Sequence, residues 1–259
     1  MYKFCGLIFA FIGFLFPFKF ASAQQTLVIA TNIYPPYVNE DVGNSFLPAL
    51  IREVGRAMDV KFDLQIQPWR RCEQSVTDLE AWGAIPYTPS LERQLRYLFS
   101  EPLYVADSKL FAYRHPKKSS AELPPVTYAK LSDLQNSRVG GVQGYYYEEL
   151  FERAGIAGDY ILSEVQGFEL LKLDRIDLFP ANTTVGWHTI RSLFPPEIAE
   201  NFYTLDKPLV ADGTLHLMTS KDYPDNDLLL ARFNDALTEV KSNGTFARLV
   251  DEYGLVLRY

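Results

Sequence analysis

From residue 26 to residue 253, short apolar runs of strand length alternate with segments whose apolar residues recur every three or four positions. This alternation restricts the chain to α/β architectures, in which helices cover a mostly parallel sheet. Residues 26–31 (TLVIAT) read as a buried strand. Residues 45–58 follow as a helix with Phe46, Leu50, Val54 and Met58 at near four-residue spacing. The pattern continues with a strand at 61–66, a helix at 69–79 and a strand of small residues at 81–87. A polar, proline-bearing stretch at 114–125 (RHPKKSSAELPP) reads as a loop near a domain crossover. A second α/β set follows, with strands predicted at 138–142, 160–163 and 176–180 and helices at 146–154, 168–173 and 183–194. A strand at 213–219 and helices at 228–241 and 245–253 close the chain, the last two separated by the C-cap signal Asn243-Gly244. Two similar α/β lobes are implied.

The amino terminus reads as an export signal. Lys3 is followed by an almost unbroken apolar run from residue 4 to 18 and by Ala21-Ser22-Ala23, an A-x-A cleavage site, so the exported chain is expected to begin at Gln24. The apolar run is short for a spanning helix, and an uncleaved anchor is the competing reading. Removing residues 1–23 takes away Lys3 and Lys19 and no acid, leaving 23 basic against 32 acidic residues, a formal charge of −9. An acidic chain without a Lys/Arg run argues against a nucleic-acid partner. The exported part keeps one cysteine, Cys72, which has no internal partner for a disulfide and reads as a buried core thiol. The three histidines are scattered and no HExxH or CxxC occurs, so neither a metal nor a cofactor is expected.

The segment from Pro68 to Tyr104, PWRRCEQSVTDLEAWGAIPYTPSLERQLRYLFSEPLY, carries Trp69 at a strand-to-helix junction and a Thr-Pro-Ser-Leu-Glu-Arg turn from Thr88 to Arg93. With the ending FNDALTEVKSNGTFARLVDEYG, it resembles the family 3 solute-binding proteins, the polar amino-acid type that feeds ABC transporters. The resemblance covers nearly all of the exported chain, and the order and spacing of its loose motifs give it specificity. It implies a two-lobed periplasmic binding protein-like (type II) fold with a ligand cleft between the lobes. Lobe 1 would comprise residues 24–112 and 207–259 and lobe 2 residues 113–206, with hinge crossovers near 110–115 and 205–212. It further implies a monomer in the periplasm that captures a small carboxylate-bearing molecule and presents it to an ABC permease.

The same resemblance assigns roles to residues. Arg93 would clamp the ligand carboxylate, as a guanidinium fork suits a carboxylate in a dry cleft. Thr88, five residues earlier at a strand end, can complete the oxyanion's hydrogen bonds. The competing reading pairs Arg93 with Glu92 or a neighbouring acid on the surface. Tyr34, in the Tyr34-Pro35-Pro36-Tyr37 loop after the first strand, would stack on the ligand, and Trp69 could form another wall; for both, core packing is the alternative. Gly144 would let backbone N–H groups approach an anion at a helix N-terminus, next to Tyr145. Here the family's usual small hydroxyl residues are replaced by Tyr145, Tyr146 and Tyr147, which implies a more aromatic pocket or packing between lobes. At the position matching Asn182, polar amino-acid binders often carry an aspartate that pairs with the ligand's ammonium. An uncharged Asn182 weakens that interaction or simply caps the following helix.

Two other functions compete. A stand-alone sensor would use the same cleft. An enzyme resembling cyclohexadienyl dehydratases would need a general acid, for which Glu148, Glu149 and Glu169 are available.

Overall fold

The computed structural model describes residues 24–116, 118, 119, 123, 127–210 and 213–257; the export segment expected at 1–23 lies outside the described residues. The first sheet starts with β1 (Gln25–Thr31) pairing β2 (Val60–Ile66) in parallel, in unbroken register from Gln25↔Val60 to Thr31↔Ile66. The connection between them holds α1 (Phe46–Met58), which buries Phe46, Leu47, Leu50, Ile51, Val54 and Met58 and ends on Asp59 in the left-handed conformation. Burying each of those large side chains contributes about 1.5–3 kcal/mol, so this amphipathic face anchors the helix to the sheet.

A second crossover through α2 (Trp69–Thr77) leads to β3 (Gly83–Tyr87), which pairs β1 in parallel. Gly83 is required there, since a Cβ would stand 2.6 Å from a Leu217 methyl. The short α3 (Leu91–Arg96) and β4 (Tyr97–Phe99) follow, then β5 (Tyr104–Val105). The late strand β11 (Thr214–Ser220) returns antiparallel between β3 and β4 and also pairs β5, completing the order β2-β1-β3-β11-β4. Helices α8 (Asn226–Ser242) and α9 (Thr245–Glu252) pack on α1. Trp82 stacks on Phe62 at 5.7 Å and donates its indole N–H to Asn226 at 2.9 Å, which ties α8 to the start of β3.

The second sheet is built from β6 (Ser108–Tyr113), β9 (Phe179–Asn182) and β10 (Phe202–Pro208), all antiparallel in the order β10-β6-β9. Beside it lie the parallel pair β7 (Val139–Val142) and β8 (Gly158–Ile161), joined to the region before β9 by a bridge from Val139 to Leu178. Helices α4 (Tyr147–Arg153), α5 (Glu164–Lys172), α6 (Thr183–Leu193) and α7 (Pro196–Ala199) complete this half. The chain changes sheet at Ala106–Asp107 and returns between Pro208 and Thr214. The first change falls a few residues ahead of the 110–115 expected from the sequence, because Ser108 already pairs with Asn182.

Two expected elements are displaced. The strand predicted at 176–180 lies at Phe179–Asn182, because Asp177 is held by Arg138 and only Phe179 onward pairs with β6. The helix predicted at 168–173 begins four residues earlier, at Glu164, where the Ser163 side chain caps it by accepting from the Gln166 N–H. Cys72 is fully buried; its thiol donates to the Gln67 carbonyl at 3.3 Å, and burial pushes its pKa up to about 12.

Candidate functional site

The chain turns at the carboxyl ends of its strands are brought together on a single cavity between the two sheets. From the first sheet come Tyr34 after β1, Trp69 at the start of α2, Thr88 after β3 and Arg93 on α3. From the second come Ser108 at the start of β6, Gly144 and Tyr145 after β7, and Asn182 at the end of β9. All seven residues singled out in the sequence therefore line one cavity.

Arg93 is 7% exposed. Its guanidinium donates to the Thr88 carbonyl at 3.2 Å, to the Glu73 carboxylate at 3.2 Å and to the Gly144 carbonyl at 2.7 Å, and sits 4.7 Å over the Tyr87 ring. The acid partner is Glu73 on α2, while Glu92 pairs with Arg96 at 3.1 Å. Glu73 was not singled out in the sequence, although it stands one helical turn beyond Trp69 and so shares its side of α2. Thr88 contributes its backbone carbonyl to this cluster.

Gly144 has φ +82°, and a Cβ there would meet the Arg70 backbone nitrogen at 3.2 Å. A glycine is needed both for that conformation and for the close approach of the two halves. Its N–H donates to the Glu148 carboxylate, which also lies 3.8 Å from Arg70 across the cleft. The N–H expected to meet a ligand anion thus meets an internal one.

The three tyrosines divide their work. Tyr145 packs edge-on against Trp69 at 5.8 Å, and its hydroxyl bonds the Glu164 carboxylate. Tyr147 accepts from the Val142 N–H at 2.8 Å and packs on Phe151. Tyr146 lines the cavity beside them. Tyr34 stands edge-on to Trp69 at 5.4 Å, so the cavity wall and the core are one continuous aromatic cluster. Asn182 caps α6: its Oδ1 accepts from the N–H groups of Thr184 at 3.0 Å and Val185 at 3.2 Å.

Glu164 also escaped the sequence reading. The signal was Ser163-x-x-Gln166, a capping pattern that starts a helix at Glu164. Burial raises its carboxyl above the ordinary range, partly offset by the Tyr145 hydrogen bond. Of the acids weighed for an enzyme, Glu148 and Glu149 border a charged opening beside Arg70 and Arg96, and Glu169 is exposed on α5. None of them lines the central cavity. That cavity measures about 40 Å³, room for a few waters, whereas small-molecule sites run to ~300 Å³ or more. The aromatic rings fill most of the cleft.

A model of the bacterial extracellular solute-binding proteins, family 3, matches residues 27–256. The chain belongs to that family. The solute-binding protein also shares its fold with solved structures of low identity. A histidine kinase sensor domain with similarity to periplasmic binding proteins superposes with a TM-score of 0.75 at 20% identity, over 91% of this chain and 99% of that one. An amino acid ABC transporter substrate-binding protein from Streptococcus pneumoniae, bound to L-arginine, gives 0.69 at 19% identity over 89% and 95%. The GluR0 ligand-binding core from Nostoc punctiforme, in complex with L-glutamate, gives 0.68 at 16% identity over 88% and 98%. At these identities the likeness establishes the two-lobed α/β fold. No curated protein sequence matches the chain.

Proposed function

We propose that this solute-binding protein works in the periplasm as a monomer, capturing a small carboxylate-bearing molecule, an amino acid or a relative of one, by hinge closure and presenting it to an ABC permease. The observation that carries the reading is the convergence of strand-end residues from both sheets on one cavity with the Arg93 guanidinium in its wall. A carboxylate there would take over donors that now serve the Gly144 carbonyl and Glu73, so ligand and internal acceptors compete for one cation. The lobes of this reading, expected at residues 24–112 with 207–259 against 113–206, are redrawn with β6 and β10 wholly in the second one, so that the crossovers fall just outside that strand pair. The reading takes the protein to act as a binding protein, without catalysis.

The test is a thermal-shift and calorimetric screen of purified protein against α-amino acids and simple carboxylates, since a ligand that binds only the native state raises the melting temperature. Arg93→Lys keeps a cation for Glu73 but loses the planar fork, and is expected to weaken every hit by about tenfold or more while the protein still melts cooperatively. An unchanged affinity in that variant, or a panel with no hit, would refute the carboxylate reading. The likeness to the kinase sensor domain favours one second reading, a receptor that reports its ligand to a signalling partner. Loss of uptake of a labelled hit in cells lacking this protein supports transport; intact uptake supports sensing.

A further inference from the structure

This inference rests on the reading of the cleft as a carboxylate site and concerns the other end of the ligand. Asn182 is uncharged, and its side-chain oxygen already accepts two helix N–H groups, so it offers a cation little. Glu164 offers far more. It opens α5, and its carboxylate accepts from the Tyr145 hydroxyl. Among the described residues no lysine, arginine or histidine forms an ion pair with it, in contrast to Glu73, Glu148, Asp174 and Asp177, each of which has a cationic partner. Three phenols of the cavity, Tyr34, Tyr145 and Tyr147, are held un-ionised first by burial and then in part by the negative charge of Glu164. Glu164 is thus a carboxylate without a cationic partner that stands behind Tyr145, one of the cavity's walls.

Its far side borders a second space, a groove of about 710 Å³ that it shares with Glu40, Asn32, Pro35 and His188. The Tyr145–Glu164 hydrogen bond therefore stands between the small central cavity and a groove large enough for an extended group. A carboxylate without a cation, bonded to Tyr145 and close to the Tyr34 phenol, has the chemistry of an ammonium or guanidinium receptor: a charge-assisted hydrogen bond together with aromatic faces. We propose that Glu164 binds the cationic end of an elongated ligand whose carboxylate lies on Arg93, the cation displacing the Tyr145 hydroxyl and joining cavity to groove. A glutamate in the first turn of a helix is also favoured by the helix dipole alone, and that purely structural role predicts no discrimination between ligands.

The experiment is titration calorimetry of the purified protein with two pairs of probes that differ in distal charge, L-arginine with L-citrulline and L-lysine with L-norleucine. The wild type is expected to bind the charged member of each pair about tenfold or more tightly than its neutral counterpart. Glu164→Gln, which preserves shape and the hydrogen bond from Tyr145, is expected to bring the members of each pair within about twofold. Asn182→Ala is expected to leave the preference intact. Equal binding of both members by the wild type, or a preference that survives Glu164→Gln, overturns the role of Glu164 while the carboxylate site on Arg93 stands. If none of the four probes binds, the cationic ligand and the amino-acid reading fall together.

Discussion

Arg93 is buried against a partly buried acid, Glu73. Their side chains are 8% and 19% exposed, and removing one partner of such a pair leaves a charge without compensation, at a cost of about 3 kcal/mol or more. Glu73, which Arg96 also contacts at 3.0 Å, holds the Arg93 guanidinium preoriented, so a bound carboxylate must bring enough hydrogen bonding to displace an internal acceptor. Glu164 shows the opposite economy. Its pKa in the folded protein is raised by burial above the ordinary 4.5, so the native state holds that proton more tightly than the unfolded chain does. Its favourable contribution is therefore complete below about pH 4.5 and is lost as pH rises through the raised value. Tyr34, Tyr145 and Tyr147 face it from the cavity, and Glu40 and His188 share its groove, in wild type and variant alike. Urea midpoints of Glu164→Gln relative to wild type should accordingly rise between pH 4 and pH 8. A difference that stays flat across that range would show the carboxylate to be solvated.

At the level of elements, one residue can hold a turn and a cavity wall together. Asn182 ends β9, pairs with Ser108 and caps α6 within a single position. Asn182→Ala should cost about 1 kcal/mol in chemical denaturation, from two unsatisfied N–H groups, and Asn182→Asp should restore the stability because an aspartate caps as well. A variant Asn182→Ala as stable as wild type would mean that the cap is idle. Most helices and the longer strands of the first sheet, β1, β2, β3 and β11, could be read from their apolar runs, whereas the two- and three-residue strands β4 and β5 could not. Nor could β6 and β10, which lie next to the crossovers: Ser108–Tyr113 passes from partly to fully buried and Phe202–Pro208 from buried to exposed, neither with a lasting alternation, and β10 contains a register shift between Thr204 and Pro208. Their strand character comes from pairing with each other across some ninety residues of sequence, as in Phe202↔Tyr113. The start of α5 carries a signal in Ser163 and Gln166 that the apolar spacing of 168–173 alone does not show, and Glu164 is missed with it.

For the molecule as a whole, the two halves are held closed by unequal contacts. The Arg70–Glu148 pair is long, at 3.8 Å, and Arg70 is 71% exposed, so it contributes at most about 1 kcal/mol. The Arg93–Gly144 hydrogen bond is buried and charged, worth about 1.5–3 kcal/mol. Small-angle scattering of ligand-free protein should then show a larger radius of gyration for Gly144→Ala, whose Cβ intrudes on the Arg70 backbone, and almost none of that increase for Arg70→Ala. The reverse ranking would place the closure elsewhere. The sequence by itself determined the α/β alternation, the strand ends at which Tyr34, Trp69, Thr88, Arg93, Gly144, Tyr145 and Asn182 sit, and the family, because these are written in local periodicity and in motifs a few residues long. Only the tertiary structure decided that Arg93 meets Glu73 twenty positions away and Gly144 fifty-one positions away, that Tyr145 meets Glu164, that the side chain of Asn182 is spent on a cap, and that the rings leave so small a cavity. Charge pairing and cavity size depend on how two sheets come to face each other, and no local stretch of chain encodes that distance.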